Sequence, residues 1–256
     1  MLNIVTYNIR FPWDGDGINS FVHRSGMVVS KIKKEAPDVI CFQEGVDSNI
    51  DHLSDALPEY HIVFNQRNAD LGGEGLATAY RKDKFRLLEL DYFWLSPTPY
   101  VPASRFEGQS SCPRICQSVT LKRRSDGKLF RLYNIHLDHV GDAARILGIK
   151  AVLDRVAHDK SKMELPFFIL GDFNALPHSQ TIDYCNNGSP VPIADLTRDI
   201  PVSFHGFGNK DHYSKIDYIY ADEQSASLES SVCIWDDCKN GIYLSDHYPI
   251  SLSIQL

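Results

Sequence analysis

The apolar positions along this chain fall mostly into short runs of strand period, interrupted by a few stretches of helical period. Leu2 to Arg10 reads as a strand, with Leu2, Ile4 and Thr6 on one face and Asn3, Val5 and Tyr7 on the other. Residues about 20–35 follow a helical stripe through Val22, Ser25, Val29, Ile32 and Ala36, stopped by Pro37. Val39 to Phe42 is a short buried strand, and a helix is expected near 47–57, ahead of Pro58. Strands follow near 60–65, 75–81 and 85–95. The segment 96–113 holds four prolines and much serine, so it is a long loop, and such loops in compact domains are often functional. Asp126-Gly127 between two strand-like runs, Ile115 to Lys122 and Lys128 to Leu137, predicts a hairpin. An amphipathic helix is expected near 142–159 through Ile146, Ile149, Leu153 and Val156. Phe167 to Leu170 is a buried strand, and late strands are expected near 216–221, 228–235 and 249–255. Many strands, hairpins in both halves and few helices predict two packed sheets with helices outside, an α/β sandwich formed by residues 1–256 as one domain.

Composition narrows the class. Hydrophobic residues make up 43% and charged residues 23% of 256 positions, enough apolar matter for a core. The formal charge of −7 excludes a general basic coat for nucleic acid, while a local basic groove stays open. No run of 18 apolar residues occurs, so no membrane span is expected. The N-terminus reads as a first strand and not as a signal peptide. Six cysteines are too few for a disulfide framework in a chain of this length, and Cys41 lies in an apolar run. The pairs Cys112/Cys116 and Cys233/Cys238 lack the short paired spacing with histidine that zinc needs. Reduced thiols and a cytoplasmic location are the expectation.

The chemistry collects at strand ends. Successive apolar runs deliver Asn8, then Gln43 and Glu44, then Asn134 and His136, then Asp172 and Asn174, then Asp217, and finally Ser245, Asp246 and His247. Each alone has an ordinary reading: a turn bond for Asn8, a helix-start carboxylate for Glu44, a core histidine for His136, an Asx turn for Asp172 and Asn174, and surface polarity for Asp246 and His247. Strand ends that share one sheet edge can assemble them into one site.

These segments resemble one family. Thr6-Tyr7-Asn8, Gln43-Glu44, Asn134-Ile135-His136-Leu137, Gly171-Asp172-Phe173-Asn174, Lys215-Ile216-Asp217-Tyr218-Ile219 and Ser245-Asp246-His247-Tyr248-Pro249 are similar to the motifs of the endonuclease/exonuclease/phosphatase superfamily, with its deoxyribonuclease I-like fold. The resemblance runs from residue 6 to 249 and implies a four-layer α/β sandwich of two mainly antiparallel sheets, and a Mg²⁺-dependent phosphoesterase. Phe93 to Ser96, Cys112-Pro113-Arg114 and His136 to Gly141 resemble a bacterial subgroup near the deadenylase-like branch.

Within that resemblance, Glu44 is the expected principal metal ligand, supported by Asn8 and Asp246. Hard oxygen donors favour Mg²⁺ or Mn²⁺. Asp172 is suited to orient or deprotonate water, Asn174 to donate to a phosphate oxygen, and His136 to act as a second donor. Asp217 beside His247 would hold the imidazole charged. Arg114, His139, Arg145 and His205 are candidate substrate contacts, and each also has a structural reading. Three functions are weighed. The first is a phosphodiesterase acting on nucleic-acid ends (an RNA or DNA 3′ end, exonuclease-like, with single-stranded nucleic acid as partner) or on small phosphodiesters. The second is a phosphomonoesterase on a sugar or lipid-head phosphate. The third is an inactive binding module, which the complete residue set argues against. No obligatory protein partner is inferred.

Overall fold

The computed structural model describes residues Met1–Leu256. In chain order its elements are β1 (Leu2–Asn8), α1 (Phe21–Glu35), β2 (Val39–Gly45), α2 (Asp47–Ala56), β3 (Tyr60–Gln66), β4 (Gly75–Arg81), β5 (Phe85–Trp94), β6 (Ile115–Arg123) and β7 (Leu129–His136). There follow α3 (Asp142–Lys162), β8 (Phe167–Asp172), β9 (Ile193–Asp195), β10 (Asp217–Asp222), β11 (Ser230–Ile234), β12 (Cys238–Lys239), β13 (Ile242–Tyr243) and β14 (Ile250–Ile254). Six strands form one sheet in the order β11-β14-β1-β2-β4-β3, and six form a second in the order β5-β6-β7-β8-β10-β9. Each sheet is mixed: β1 runs parallel to β2 and β7 parallel to β8, and the other pairings are antiparallel. No helix is long and apolar enough to cross a membrane, and all six cysteines are unpaired.

Strand period decides how the layers stack. In β1, Leu2 and Ile4 face the other sheet, where they meet Phe130, Leu132, Phe168 and Leu170. Val5 and Tyr7 point the other way, into a core shared with Phe21, Val28 and Ile32 of α1 and with Ile50 and Leu53 of α2. On the far side Tyr133, Ile135 and Ile169 pack under Ile149, Val152, Leu153 and Val156 of α3. Three apolar cores therefore separate four layers, helix–sheet–sheet–helix, which is the sandwich expected from the sequence. Central strands buried on both faces read as continuous apolar runs, and each fully buried Leu, Ile or Phe contributes about 1.5–3 kcal/mol.

The phase of α1 differs from the expected stripe. Its buried residues are Phe21, Arg24, Val28 and Ile32, while Val22 is exposed. The reason is Arg24, a polar letter on the inner face. Its guanidinium donates to the carbonyls of Asn19, Leu244 and Arg10 at 2.9, 2.8 and 2.7 Å, so each nitrogen of the buried charge is bonded to backbone. The helix ends at Ala36, in the left-handed region at φ 46°, before Pro37.

At one end of the sandwich the interface between the sheets turns polar. Gln43 Nε2 donates to Asn134 Oδ1 at 2.8 Å across the sheets, and Asn134 Nδ2 donates to the carbonyls of Phe42 and Ala77 at 3.0 and 3.1 Å. Both side chains are fully buried. Asn134→Ala removes one acceptor from the Gln43 amide, which keeps the Cys41 carbonyl at 3.0 Å, and the side-chain donor to two buried carbonyls, so it is expected to cost about 3 kcal/mol. Urea unfolding measures this, and a loss below about 1 kcal/mol would remove the bridge from the account of stability.

Candidate active site

Five strand ends and one loop converge above this polar bridge. Parallel pairing sets Asn8 of β1 opposite Gln43 of β2 and His136 of β7 opposite Asp172 of β8. Antiparallel pairing sets Asp217, the first residue of β10, opposite Asp172. The loop before β14 brings Asp246 and His247 over β1, where Ser245 Oγ donates to the Asn8 carbonyl at 2.7 Å. Two local features aim the side chains. The β2–β4 register shifts between Phe42 and Gly45, and Glu44 sits in that irregularity at φ 59°. Gly171 takes φ 147°, and a Cβ there would lie 1.9 Å from the Ile135 carbonyl oxygen, so only glycine lets β8 lie against β7 ahead of Asp172.

Asp172 is the hub. Asn8 Nδ2 donates to Asp172 Oδ2 at 3.0 Å and to Glu44 Oε1 at 2.9 Å. The Asn174 N–H donates to Asp172 Oδ1 at 2.8 Å. His136 Nε2 and His247 Nε2 lie 3.5 and 3.8 Å from Asp172 Oδ2. His247 Nδ1 is 2.8 Å from Asp217 Oδ2, so the imidazole bridges two carboxylates. Glu44 Oε2 accepts the Phe11 N–H at 3.1 Å. Arg10 Nε lies 3.7 Å from Asp246 Oδ2 and also pairs with Asp16 at 3.0 Å.

Burial divides these groups electrostatically. Burial, then the charge of Asp217, pushes the Asp172 carboxyl up to about 7. Burial opposes charge on His247, but the carboxylates of Asp217, Asp172 and Asp246 outweigh it and raise the imidazole to about 10. His136 goes the other way, lowered by burial and by the neighbouring Arg114 and Arg67 charges. Glu44 is held below its ordinary range. Burial acts against this, and the Asn8 amide, the His247 charge, the Phe11 N–H and the Arg10 charge overcome it. One imidazole is thus set to be charged and the other neutral, on either side of one carboxylate.

The match to family models spans nearly the whole chain: residues 5–247 fit the model described as the Endonuclease/Exonuclease/phosphatase family. The chain belongs to that family. Among solved structures it is similar to the endonuclease/exonuclease/phosphatase of Bacteroides vulgatus, at 26% identity over 99% of both chains with a TM-score of 0.90. It is also similar to a mannosyl-6-phosphatase of Bacteroides thetaiotaomicron, at 25% identity over 100% of both chains with a TM-score of 0.88. D. rerio TDP2, solved with single-strand DNA product, shares the fold at 16% identity and a TM-score of 0.76 over 100% of this chain and 99% of that one. The protein is therefore a phosphoesterase of the endonuclease/exonuclease/phosphatase superfamily.

Of the candidates read from the sequence, the fold brings Asn8, Glu44, His136, Asp172, Asn174, Asp217, Asp246 and His247 into this one cluster. Asn8 Oδ1 accepts the Arg10 N–H at 3.0 Å, so its amide nitrogen is the group that faces the two carboxylates. Asn174 Nδ2 already donates one hydrogen to the Leu137 carbonyl at 3.1 Å. Arg114 lies beside His139, with Nη2 3.0 Å from Nδ1. The other two expected substrate contacts, Arg145 and His205, are each also held by neighbours within the chain. Arg145 donates to the Asp138 carbonyl at 2.9 Å and pairs with Asp142, fastening the start of α3. His205 is buried, stacked 3.9 Å from the Tyr248 ring, and its Nδ1 accepts the Gly208 N–H at 3.0 Å. Sequence reasoning missed Arg67 and Glu74. They flank the Asn68–Gly73 loop, where no strand or helix period marks them. Glu44, Glu74 and His136 bring ligand atoms within 4.8 Å of one another.

Proposed function

We infer that this protein is a divalent-metal-dependent phosphoesterase in which Asp172 is the base and the charged His247 is the electrostatic partner of the reaction. The observation that carries the reading is the placement of Asp172 between Asn8, His136 and His247, at 3.0 to 3.8 Å. Ester hydrolysis needs a water held in line, charge neutralised on the non-bridging oxygens, and a leaving oxygen stabilised. A buried carboxylate at the middle of the site is suited to the first, and the imidazoles and the remaining Asn174 N–H to the others.

The residues fit a hard cation. Two carboxylates, Glu44 and Glu74, crowd together with only Arg67 paired to Glu74, and Asp246 lies across from Arg10. Oxygen donors of this kind suit Mg²⁺ or Mn²⁺. When bound, such an ion neutralises charge on the ester and polarises it. Glu44 and Asp246 are the residues proposed to hold it, with Asn8 orienting Glu44. Activity is expected to vanish in EDTA and to return with Mg²⁺ or Mn²⁺, and Glu44→Gln is expected to raise the Mg²⁺ concentration needed for half activity by about tenfold or more. Full turnover after chelation would overturn the assignment.

Between substrate classes one observation favours the monoester: similarity over the full length to a mannosyl-6-phosphatase at 25% identity. The likeness to TDP2 at 16% identity carries the fold alone, so the nucleic-acid 3′ end expected first from the sequence lacks comparable support.

A further inference from the structure

Two buried arginines beside the reaction centre have hydrogen-bonding capacity that the chain itself does not use. Arg67 follows β3 and Arg114 precedes β6. Their backbones are pinned: the Arg67 N–H donates to the Glu74 carbonyl at 3.1 Å, Trp94 Nε1 donates to the Arg67 carbonyl at 2.7 Å, and the Leu95 N–H donates to the Arg114 carbonyl at 2.7 Å. Arg114 is 4% exposed and Arg67 is 8% exposed. With Gly75, Leu76, Ile115 and His136 they line one narrow recess. Glu74 takes Arg67 Nη2 at 3.0 Å, and His139 Nδ1 takes Arg114 Nη2 at 3.0 Å. That leaves Arg67 Nε, Arg114 Nε and Arg114 Nη1 buried with no partner. Buried donors are almost always paired, and here the one carboxylate paired with either guanidinium is Glu74, on Arg67.

An anion would satisfy these donors, and His136 relates its place to the reaction centre. That imidazole is both a wall of the recess and a neighbour of Asp172, so an oxygen reaching into the recess belongs to the same phosphate that Asp172 serves. A phosphate monoester has three non-bridging oxygens and two negative charges near neutral pH. A diester has two such oxygens and one charge, and its third oxygen carries a second carbon substituent. A recess lined by two guanidinium side chains suits the more highly charged terminal oxygens of the monoester. We propose that Arg67 and Arg114 clamp the terminal phosphate oxygens and make this enzyme select phosphomonoesters over phosphodiesters. This rests on the phosphoesterase reading above and names the substrate class of that same site.

The test compares p-nitrophenyl phosphate with bis(p-nitrophenyl) phosphate, which share a leaving group, in saturating Mg²⁺. Arg114→Gln and Arg67→Gln are expected to lower kcat/KM on the monoester by about 100-fold and on the diester by at least about tenfold less, so that the monoester-to-diester ratio falls. Both esters are read on one enzyme preparation, so any loss of folded protein cancels from the ratio. On the unaltered enzyme, inorganic phosphate is expected to inhibit at least about tenfold more tightly than dimethyl phosphate, a measurement that needs no variant. An unchanged monoester-to-diester ratio in both variants, or equal inhibition by the two phosphates, overturns the clamp while leaving the phosphoesterase reading intact. An unaltered enzyme inert toward both esters with Mg²⁺ overturns that reading, and the clamp with it.

Discussion

Asp172→Asn is expected to lower kcat on the order of 10⁴-fold, a barrier increase of about 5.5 kcal/mol. The substitution keeps the shape of the side chain and an oxygen for the Asn174 N–H, which donates to Oδ1 at 2.8 Å. It removes the basic oxygen at the meeting point of Asn8, His136 and His247. General-base catalysis alone contributes roughly 10²–10⁴, and the lost charge also weakens the hold on the imidazolium of His247. Stability should move the other way. Burial and the Asp217 charge raise the Asp172 carboxyl to about 7 in the folded protein. A carboxyl raised above its unfolded value contributes stability at low pH that is lost as pH climbs from the ordinary carboxylate range through about 7. Asparagine carries no such penalty, so above pH 7 the variant is expected to melt at the same temperature as the parent or higher. Loss of activity with a gain in stability marks a residue kept for chemistry. A variant that retains more than about a tenth of kcat would remove Asp172 from the role of base, and one that melts several degrees lower would show that the carboxylate also holds the site together.

The same electrostatics fix a pH profile. With Asp172 near 7 and His247 near 10, kcat/KM is expected to rise toward pH 7 and fall near pH 10. A cation at Glu44 stabilises ionised Asp172 and shifts the rising limb to lower pH.

Much of this site was legible because its residues sit where apolar runs stop. A strand buried on both faces is a block of Val, Ile, Leu and Phe, and the first polar letter after it marks the sheet edge. Asn8, Glu44, His136 and Asp172 all stand at or beside such positions. The layer order was legible from the same blocks, since opposite faces of β1 and β8 feed different cores. What was not legible depends on long-range geometry. Arg67 and Glu74 lie in or beside a loop and acquire meaning only when β3 and β4 pair and fold that loop beside His136. Arg24 breaks the stripe of α1 because its charge is satisfied by three carbonyls, two of them from other parts of the chain. β9, β12 and β13 are three residues or shorter, too brief for any period to show. His205 has both a substrate-contact and a structural reading in its local sequence, and only the fold shows its ring packed against Tyr248.

The Asp217–His247 pair should behave as one catalytic unit. Nδ1 of His247 is 2.8 Å from Asp217 Oδ2, which leaves Nε2 facing the centre, 3.4 Å from Asn8 Nδ2 and 3.8 Å from Asp172 Oδ2. Asp217 is held from behind, since its N–H and that of Ile216 both donate to Ser203 Oγ at 2.9 Å. Asp217→Asn removes the closest charge that raises His247, so the imidazole loses its proton at a lower pH and the alkaline limb of the profile moves down from about 10. The expected loss in kcat at neutral pH is on the order of 10²-fold for Asp217→Asn and at least as large for His247→Ala. The double variant should lose little more than His247→Ala alone, because an orienting carboxylate has no task once its imidazole is gone. Melting temperature should change far less than activity in each single variant. The measurement is a double-mutant cycle on kcat under saturating Mg²⁺, paired with the pH profile of Asp217→Asn. Multiplicative losses, an active His247→Ala enzyme, or an alkaline limb that stays in place would each separate the two residues. A carboxylate that merely stabilised the fold would lower the melting temperature and leave that limb where it is.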